Sequence, residues 1–133
     1  MAIHIRTVTT HGTSLGWTNG RSLTIDASPG KSEQRVGFEA EELLGFAIGA
    51  SYVTSVLRQA ARRRISICNL AVDVSYESSG DVPEIVVSVC IEADVDESAV
   101  MELIETADKT TAISKMLRLG VPVRLTSAHV IRK

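Results

Sequence analysis

Between Glu39 and Arg64 the hydrophobic positions follow a helical period. At the centre, Leu43-Leu44-Gly45-Phe46-Ala47-Ile48-Gly49-Ala50-Ser51-Tyr52-Val53, they fill every side of the helix rather than one stripe. A helix with no polar face has nothing to offer water, so the pattern predicts a long central helix buried in a domain core. Glu39, Glu41 and Glu42 crowd its first turns and Arg62, Arg63 and Arg64 its last, the arrangement a helix dipole favours. The apolar run lasts about 15 residues, short of the ~20 needed to cross a bilayer. Nothing before it resembles a signal peptide, and the helix is expected inside protein rather than lipid. Gly45, Gly49, Val53, Val56 and Ala60 share one side. Two glycines four apart strip that side of bulk, at up to ~1 kcal/mol each relative to alanine, which suggests a close partner helix, from this chain or a second subunit. On an adjacent face Leu44, Ala47, Ile48, Ser51 and Ser55 align, pointing Ser51 into a crowded, mostly apolar space.

Before this helix the pattern is strand-like. Ile3, Ile5 and Thr7 alternate with His4 and Arg6 over Ala2 to Thr10, Gly12 and Gly16 punctuate the next stretch, and Asn19-Gly20 signals a turn into a strand from Arg21 to Asp26. A meander of two or three strands follows. Ala27 to Phe38 carries loop residues without a period and is expected to be a mobile connection that covers something.

After the helix the period becomes two. Leu70, Val72, Val74 and Tyr76 alternate with Ala71, Asp73, Ser75 and Glu77, and Ile85, Val87, Val89 and Ile91 with Val86, Ser88, Cys90 and Glu92. The turn formers Ser78-Ser79-Gly80-Asp81-Val82-Pro83 join them into an antiparallel hairpin. Pairing Glu77 with Glu84 makes one face wholly apolar, and a slip of one residue would destroy it. That register places Cys90 and Cys68 on opposite faces, where they cannot form a disulfide. A second helix follows, capped by Asp96, with Val100, Leu103, Ile104 and Ala107 on one face. The pattern restarts at Ile113, Met116 and Leu117, predicting a break or kink at Thr111, a threonine N-cap, and a stop at Gly120. Val121, Val123, Leu125 and Ser127 then alternate with Arg124 and Thr126 in a final strand ending near Val130. The sum is an α+β fold in a single domain, residues 1–133.

Composition narrows the function classes. With 14 basic and 16 acidic residues interspersed and a net charge of -2, no field recruits nucleic acid or an anionic membrane, and Arg62 to Arg64 reads as the solvated end of the central helix. Aromatics make up only 4% of the chain, too few for base-stacking platforms. Two cysteines without a secretory signal point to a reducing compartment, the cytoplasm, and to free thiols that are buried or half-buried. His4, His11 and His129 are scattered and carry no metal-ligand spacing. Neither a glycine-rich phosphate loop nor a nucleophile elbow is present, so no cofactor and no hydrolase chemistry is expected. Cys68 and Cys90 lie neither at a helix start nor beside a basic cluster, which is what would stabilise a thiolate.

Two strings do point somewhere. Glu41-Glu42-Leu43-Leu44-Gly45-Phe46-Ala47-Ile48-Gly49-Ala50-Ser51-Tyr52 resembles the central-helix motif of the OsmC/Ohr family, in which Pro-Glu-(Glu/Gln)-Leu-Leu opens a small-residue helix leading to a cysteine. Ala107-Asp108-Lys109-Thr110-Thr111-Ala112-Ile113-Ser114-Lys115-Met116-Leu117 is similar to that family's second motif, in which Cys-Pro-(Val/Ile)-Ser-Lys starts the last helix. Together, in order, with a meander before and a hairpin between, they cover nearly the whole chain.

The resemblance implies an intertwined homodimer, long helices buried between sheets, with two equivalent sites at the subunit boundary. Members of this family are thiol-dependent peroxidases that detoxify organic hydroperoxides in the oxidative stress response. The first cysteine attacks the peroxide, the second resolves the sulfenic acid, and an arginine and a glutamate keep the thiolate reactive. Carried over residue by residue, the attacking position is Ser51, the resolving position Thr111 and the glutamate Glu41, with Ala40 in place of the proline. Arg21 lies in the right part of the meander for the arginine, and Arg6 and Arg35 remain open. A serine hydroxyl is barely ionised at neutral pH and has no sulfenate-like oxidised state, so Ser51 and Thr111 cannot run the cycle. Glu41 and Ser51 lie ten residues apart, about 15 Å along one helix, and could cooperate only through a bridging group or across a dimer. The reading that follows is an OsmC-like homodimer without peroxidase activity that keeps its cleft, for a small apolar or acyl-like ligand. The alternatives are an active enzyme, using Cys68 or Cys90 as peroxidatic thiol or Ser51 with Glu41 in another reaction, and a purely structural or interaction role.

Overall fold

The computed structural model of the chain describes residues 1–9, 12–26, 37–78, 83–129 and 131. Three antiparallel strands open it: β1 (His4–Thr7), β2 (Thr13–Thr18) and β3 (Arg21–Asp26), in the order β1-β2-β3. The register sets His4 opposite Trp17 and Trp17 opposite Ser22, and the His4 ring stacks on the indole at 5.3 Å. Asn19 and Gly20 both have positive φ, 47° and 73°, as the tight turn between β2 and β3 requires. Phe38 adds a parallel bridge to β3 at Ile25. The rest of the expected loop from Ala27, residues 27–36, lies outside the described residues, and so does Arg35.

The central helix α1 spans Ala40–Arg62. Its start is closed by half of a capping box, with the Glu39 amide donating to Glu42 Oε1 at 3.0 Å. Its end is closed by two reverse bonds, Arg64 N–H to the Ala61 carbonyl and Ile65 N–H to the Ala60 carbonyl, with Arg64 at φ 56° in the left-handed position usually given to glycine. The hairpin follows as β4 (Ile67–Ser78) and β5 (Pro83–Ala93). These strands take in Ser78 and Pro83, both expected in the loop, because extending the ladder pairs backbone that a longer loop would leave open. Helix α2 (Glu97–Thr110) and helix α3 (Ala112–Leu119) are separated, as expected, at Thr111, whose backbone is extended (φ -70°, ψ 112°). Gly120 ends α3 at φ 65°, its amide and that of Val121 reaching back to Leu117 and Met116.

The chain divides into two compact units, Met1–Ala50 with Asp73–Ser88, and Ser51–Val72 with Val89–Lys133. In the second, Val56, Ala60, Leu103 and Ala107 form a buried cluster against which Ile65, Ile67, Leu70, Val89 and Ile91 pack. The cluster takes Leu103 and Ala107 from the face predicted for α2, and Leu70, Val89 and Ile91 from the apolar face predicted for the hairpin pack against it. In the first, Gly45 and Gly49 face the hairpin.

Several expectations are corrected. The glycine side of α1 meets a helix only over its second half: Val56 and Ala60 cluster with Leu103 and Ala107 of α2, whereas a Cβ on Gly45 would lie 3.9 Å from the Tyr76 ring and one on Gly49 3.5 Å from Val74 Cγ2, both on β4. Nor is α1 apolar without exposure, since Phe46, Ala47, Ala50 and Leu57 are exposed in this chain. The hairpin and α2 cover only part of its circumference. Asp96 stands at the N-cap of α2, yet its side chain makes no cap bond, and only its carbonyl accepts from Val100. Cys68 and Cys90 are both exposed. Along β4 the alternation slips where Cys68 and Asn69 are both exposed between the half-buried Ile67 and Leu70, so Cys68 loses the parity of Leu70. Finally, residues 121–129 form no strand. Their alternation is intact, but a strand is defined by its partner, and among the described residues none pairs with them.

The clearance at Gly45 is ordinary van der Waals distance, so Gly45→Ala is expected to raise stability by about 0.5–1 kcal/mol through helix propensity alone. A rise of a few degrees in the thermal midpoint would support this, and a fall would show that another backbone does approach that side.

Candidate functional site

The break at Thr111 leaves backbone groups at two helix ends that must find partners in a packed interior. At the end of α2, the Ala107 carbonyl accepts from the Ser55 hydroxyl at 2.8 Å and from the Thr111 hydroxyl at 2.6 Å. The Thr110 hydroxyl lies 2.8 Å from that of Ser55. At the start of α3, the Thr111 side chain makes no cap bond. The missing cap comes from α1 instead, where Ser51 Oγ accepts from the Ile113 amide at 3.3 Å. Ser51 is half-buried and Thr111 fully buried. The space around Ser51 is thus less apolar than the sequence suggests.

Beside these hydroxyls is a cluster that sequence reasoning missed. The Tyr52 hydroxyl donates to Asp108 Oδ1 at 2.5 Å, and Arg118 Nη2 donates to the same oxygen at 2.9 Å and to the Tyr52 oxygen at 3.5 Å. Tyr52 is buried, while Asp108 and Arg118 lie towards the surface. Donation by Tyr52 and then by Arg118 holds the Asp108 carboxyl below the usual carboxylate range, against the opposing effect of desolvation. Burial and the bond to Asp108 push the Tyr52 phenol up. Donation to Asp108 likewise raises Arg118. Asp108 and Arg118 are ten residues apart, and only the turn at Thr111 brings α3 back alongside α2. A tyrosine in an otherwise apolar helix was the available signal, because its buried hydroxyl needs a partner.

Of the predicted site residues, Ser51 and Thr111 therefore lie at one helix junction. Glu41 and Arg21 belong to the other compact unit. Glu41 is exposed in the first turn of α1, where its carbonyl accepts from the Tyr76 hydroxyl. Arg21 is exposed at the start of β3, opposite Thr18, and Arg6 is exposed on β1. Among the described residues no group of three His, Cys, Asp or Glu side chains is placed to hold a metal ion, and no helix is long and apolar enough to cross a membrane.

Chemically, an anion at the position of Ser51 Oγ would face the first turn of α3, where free amides and the helix dipole stabilise negative charge. A neutral hydroxyl there uses the same amide as a cap.

A family model described as OsmC-like protein matches residues 30–126. Among solved structures the chain is similar to an OsmC-like protein from Mycoplasma pneumoniae, at 20% identity over 90% of this chain and 87% of that one with a TM-score of 0.77. It is also similar to organic hydroperoxide resistance proteins from Bacillus subtilis (17% identity, 88% and 89% covered, TM-score 0.62) and Legionella pneumophila (11%, 89% and 90%, 0.61). These structures share the α+β arrangement of strands, long helix, hairpin and further helices. No curated protein matches the sequence.

Removing the Tyr52 hydroxyl leaves a carboxylate short of a donor, and Tyr52→Phe should cost about 1–3 kcal/mol in urea unfolding. Because the Asp108 carboxyl is lowered on folding, its contribution is present above the unfolded carboxylate pKa of about 4 and is lost as pH falls through the folded value. Stability of the wild type should therefore fall more steeply below pH 4 than that of Asp108→Asn, and parallel curves would refute the clamp. The raised Tyr52 phenol acts at the other end: its contribution holds below the unfolded pKa of about 10 and is lost as pH rises through the folded value.

Proposed function

The chain belongs to the OsmC-like family, and from that premise we propose that it is a homodimer on the hydroperoxide-resistance scaffold that has given up thiol peroxidation and keeps a cleft for a small apolar ligand. The observation that carries this reading is the bond from the Ile113 amide to Ser51 Oγ. It joins the two segments that resemble the family's cysteine motifs, and it does so with a hydroxyl in the attacking position. Thr111, in the resolving position, donates its only proton to the Ala107 carbonyl. Neither group can form a sulfenic acid or a disulfide, so a peroxide has no atom to oxidise at this junction. Both hydroxyls serve the helix ends instead.

Homodimerisation is supported by the apolar residues that the single chain leaves in water. Phe46, Leu57, Met116 and Leu117 are all exposed on helices. Exposed apolar surface of this kind marks an interface or a ligand site. The exposure of Cys68 and Cys90 favours the competing reading, a peroxidase working from one of these thiols, so it has to be tested beside the first.

Purified protein incubated with cumene hydroperoxide and dithiothreitol is expected to consume peroxide no faster than the buffer blank. Turnover abolished by Cys68→Ser or Cys90→Ser would sink the inactive reading in favour of the second. The double variant Ser51→Cys with Thr111→Cys should gain dithiol-dependent turnover at least about tenfold above the wild type if the junction is the family's redox site. Light scattering at micromolar concentration should give twice the 14.3 kDa chain mass, and a monomer mass would reject the dimer. For the ligand, native mass spectrometry of the gently purified protein should show an excess mass that an organic solvent releases, or saturable uptake of a medium-chain fatty acid. Neither result would be compatible with an empty, non-binding cleft.

A further inference from the structure

The segment from Val121 to Ser127 has the alternation of a strand and, among the described residues, none of its pairing. Val123 is 97% exposed and Leu125 86%. A run of this kind, released by Gly120 from the end of α3, exposes apolar side chains and backbone polar groups at once, which a folded chain covers where it can.

The segment is basic, with Arg124 at its centre and no acidic residue. The sheet of β1, β2 and β3 carries Arg6, Arg21 and His4, and its acidic residue, Asp26, is buried, so its surface does not complement the segment. The hairpin does: β4 and β5 contain Asp73, Glu77, Glu84 and Glu92 and no lysine or arginine. Among the described residues this sheet has only two strands, so the outer edge of β4 is open.

Resting on the homodimer reading, we propose that residues 121–127 add as a third strand to the β4 edge of a second copy of this chain, antiparallel, with Arg124 opposite Asp73. In that register Val123 faces Val74 and Leu125 faces Val72, which continues the half-buried row of β4, while Arg124 joins the exposed row that Asp73 occupies. Asp73 and Arg124 are both exposed, and among the described residues neither makes an ion pair. Pro122 fits the same choice. It has no amide proton, so the ladder must run through Val121, Val123 and Leu125, leaving Pro122 and Arg124 at positions that do not bond to β4. Arg124 and Asp73 then form a non-hydrogen-bonded pair, the kind in which side chains of opposite strands come closest. A two-fold axis makes the exchange reciprocal: each copy lends one strand and receives one.

The test is a charge swap read by sedimentation or native mass spectrometry. Asp73→Arg alone and Arg124→Asp alone each place like charges opposite one another twice per dimer, and each should raise the dimer dissociation constant by about tenfold. The double variant should return to the wild-type value. Mixing the two single variants should form a heterodimer in preference to either homodimer, since every facing pair in it is complementary. Rescue in the double variant without rescue on mixing would place the pairing within one chain and overturn the exchange. A wild-type dimer unmoved by either single variant would overturn this pairing while leaving the dimer intact, and a monomeric wild type would defeat the dimer reading itself.

Discussion

One interruption of backbone geometry governs the helical half of this protein. At Thr111 the chain leaves the helix for a single extended residue, and the carbonyl of Ala107 and the amide of Ile113 lose the partners an unbroken helix would supply. Buried polar groups left unpaired cost on the order of a few kcal/mol each, so a break of this kind persists only where other atoms satisfy it. Here they come from α1 and from the break itself: Ser55 and Thr111 on Ala107, Ser51 on Ile113. The position of α1 against α2 and α3 is set by these hydroxyls as much as by the apolar contacts of Val56 and Ala60 with Leu103 and Ala107.

The clamp of Tyr52, Asp108 and Arg118 extends the same logic towards the surface. Its aspartate accepts two donors on one oxygen, and its tyrosine hydroxyl is buried, so the clamp is strongest between the acid range where the carboxylate protonates and the alkaline range where the phenol ionises. It lies next to the hydroxyl junction in sequence and in space, because Tyr52 follows Ser51 and Asp108 follows Ala107. The arrangement observed is a set of satisfied, neutral caps braced by one ion pair.

Apolar residues divide into two populations. Those on the α1 face towards the hairpin and α2 are buried within the chain. Those at Phe46, Leu57, Met116, Val123 and Leu125 are exposed in it. The first population accounts for a folded protomer, and the second for the periodicities that outran the structure of one chain, namely an all-round apolar helix and a final strand without a partner.

The order of elements as far as α3, the start of α1 near Glu39, the turn at Asn19-Gly20, the break at Thr111 and the stop at Gly120 were legible in the residues. Each depends on local physics: period, dipole, cap, and a backbone angle that few side chains tolerate. So did the meeting of Ser51 with the second motif, through the family resemblance. What tertiary structure decided is everything that depends on an atom distant in sequence. It set β4 rather than a helix against Gly45 and Gly49, gave the α3 cap to Ser51 rather than Thr111, brought Arg118 to Asp108, and slipped the alternation at Cys68 and Asn69. Periodicity reports which residues share a face, and it carries no information about what that face will meet.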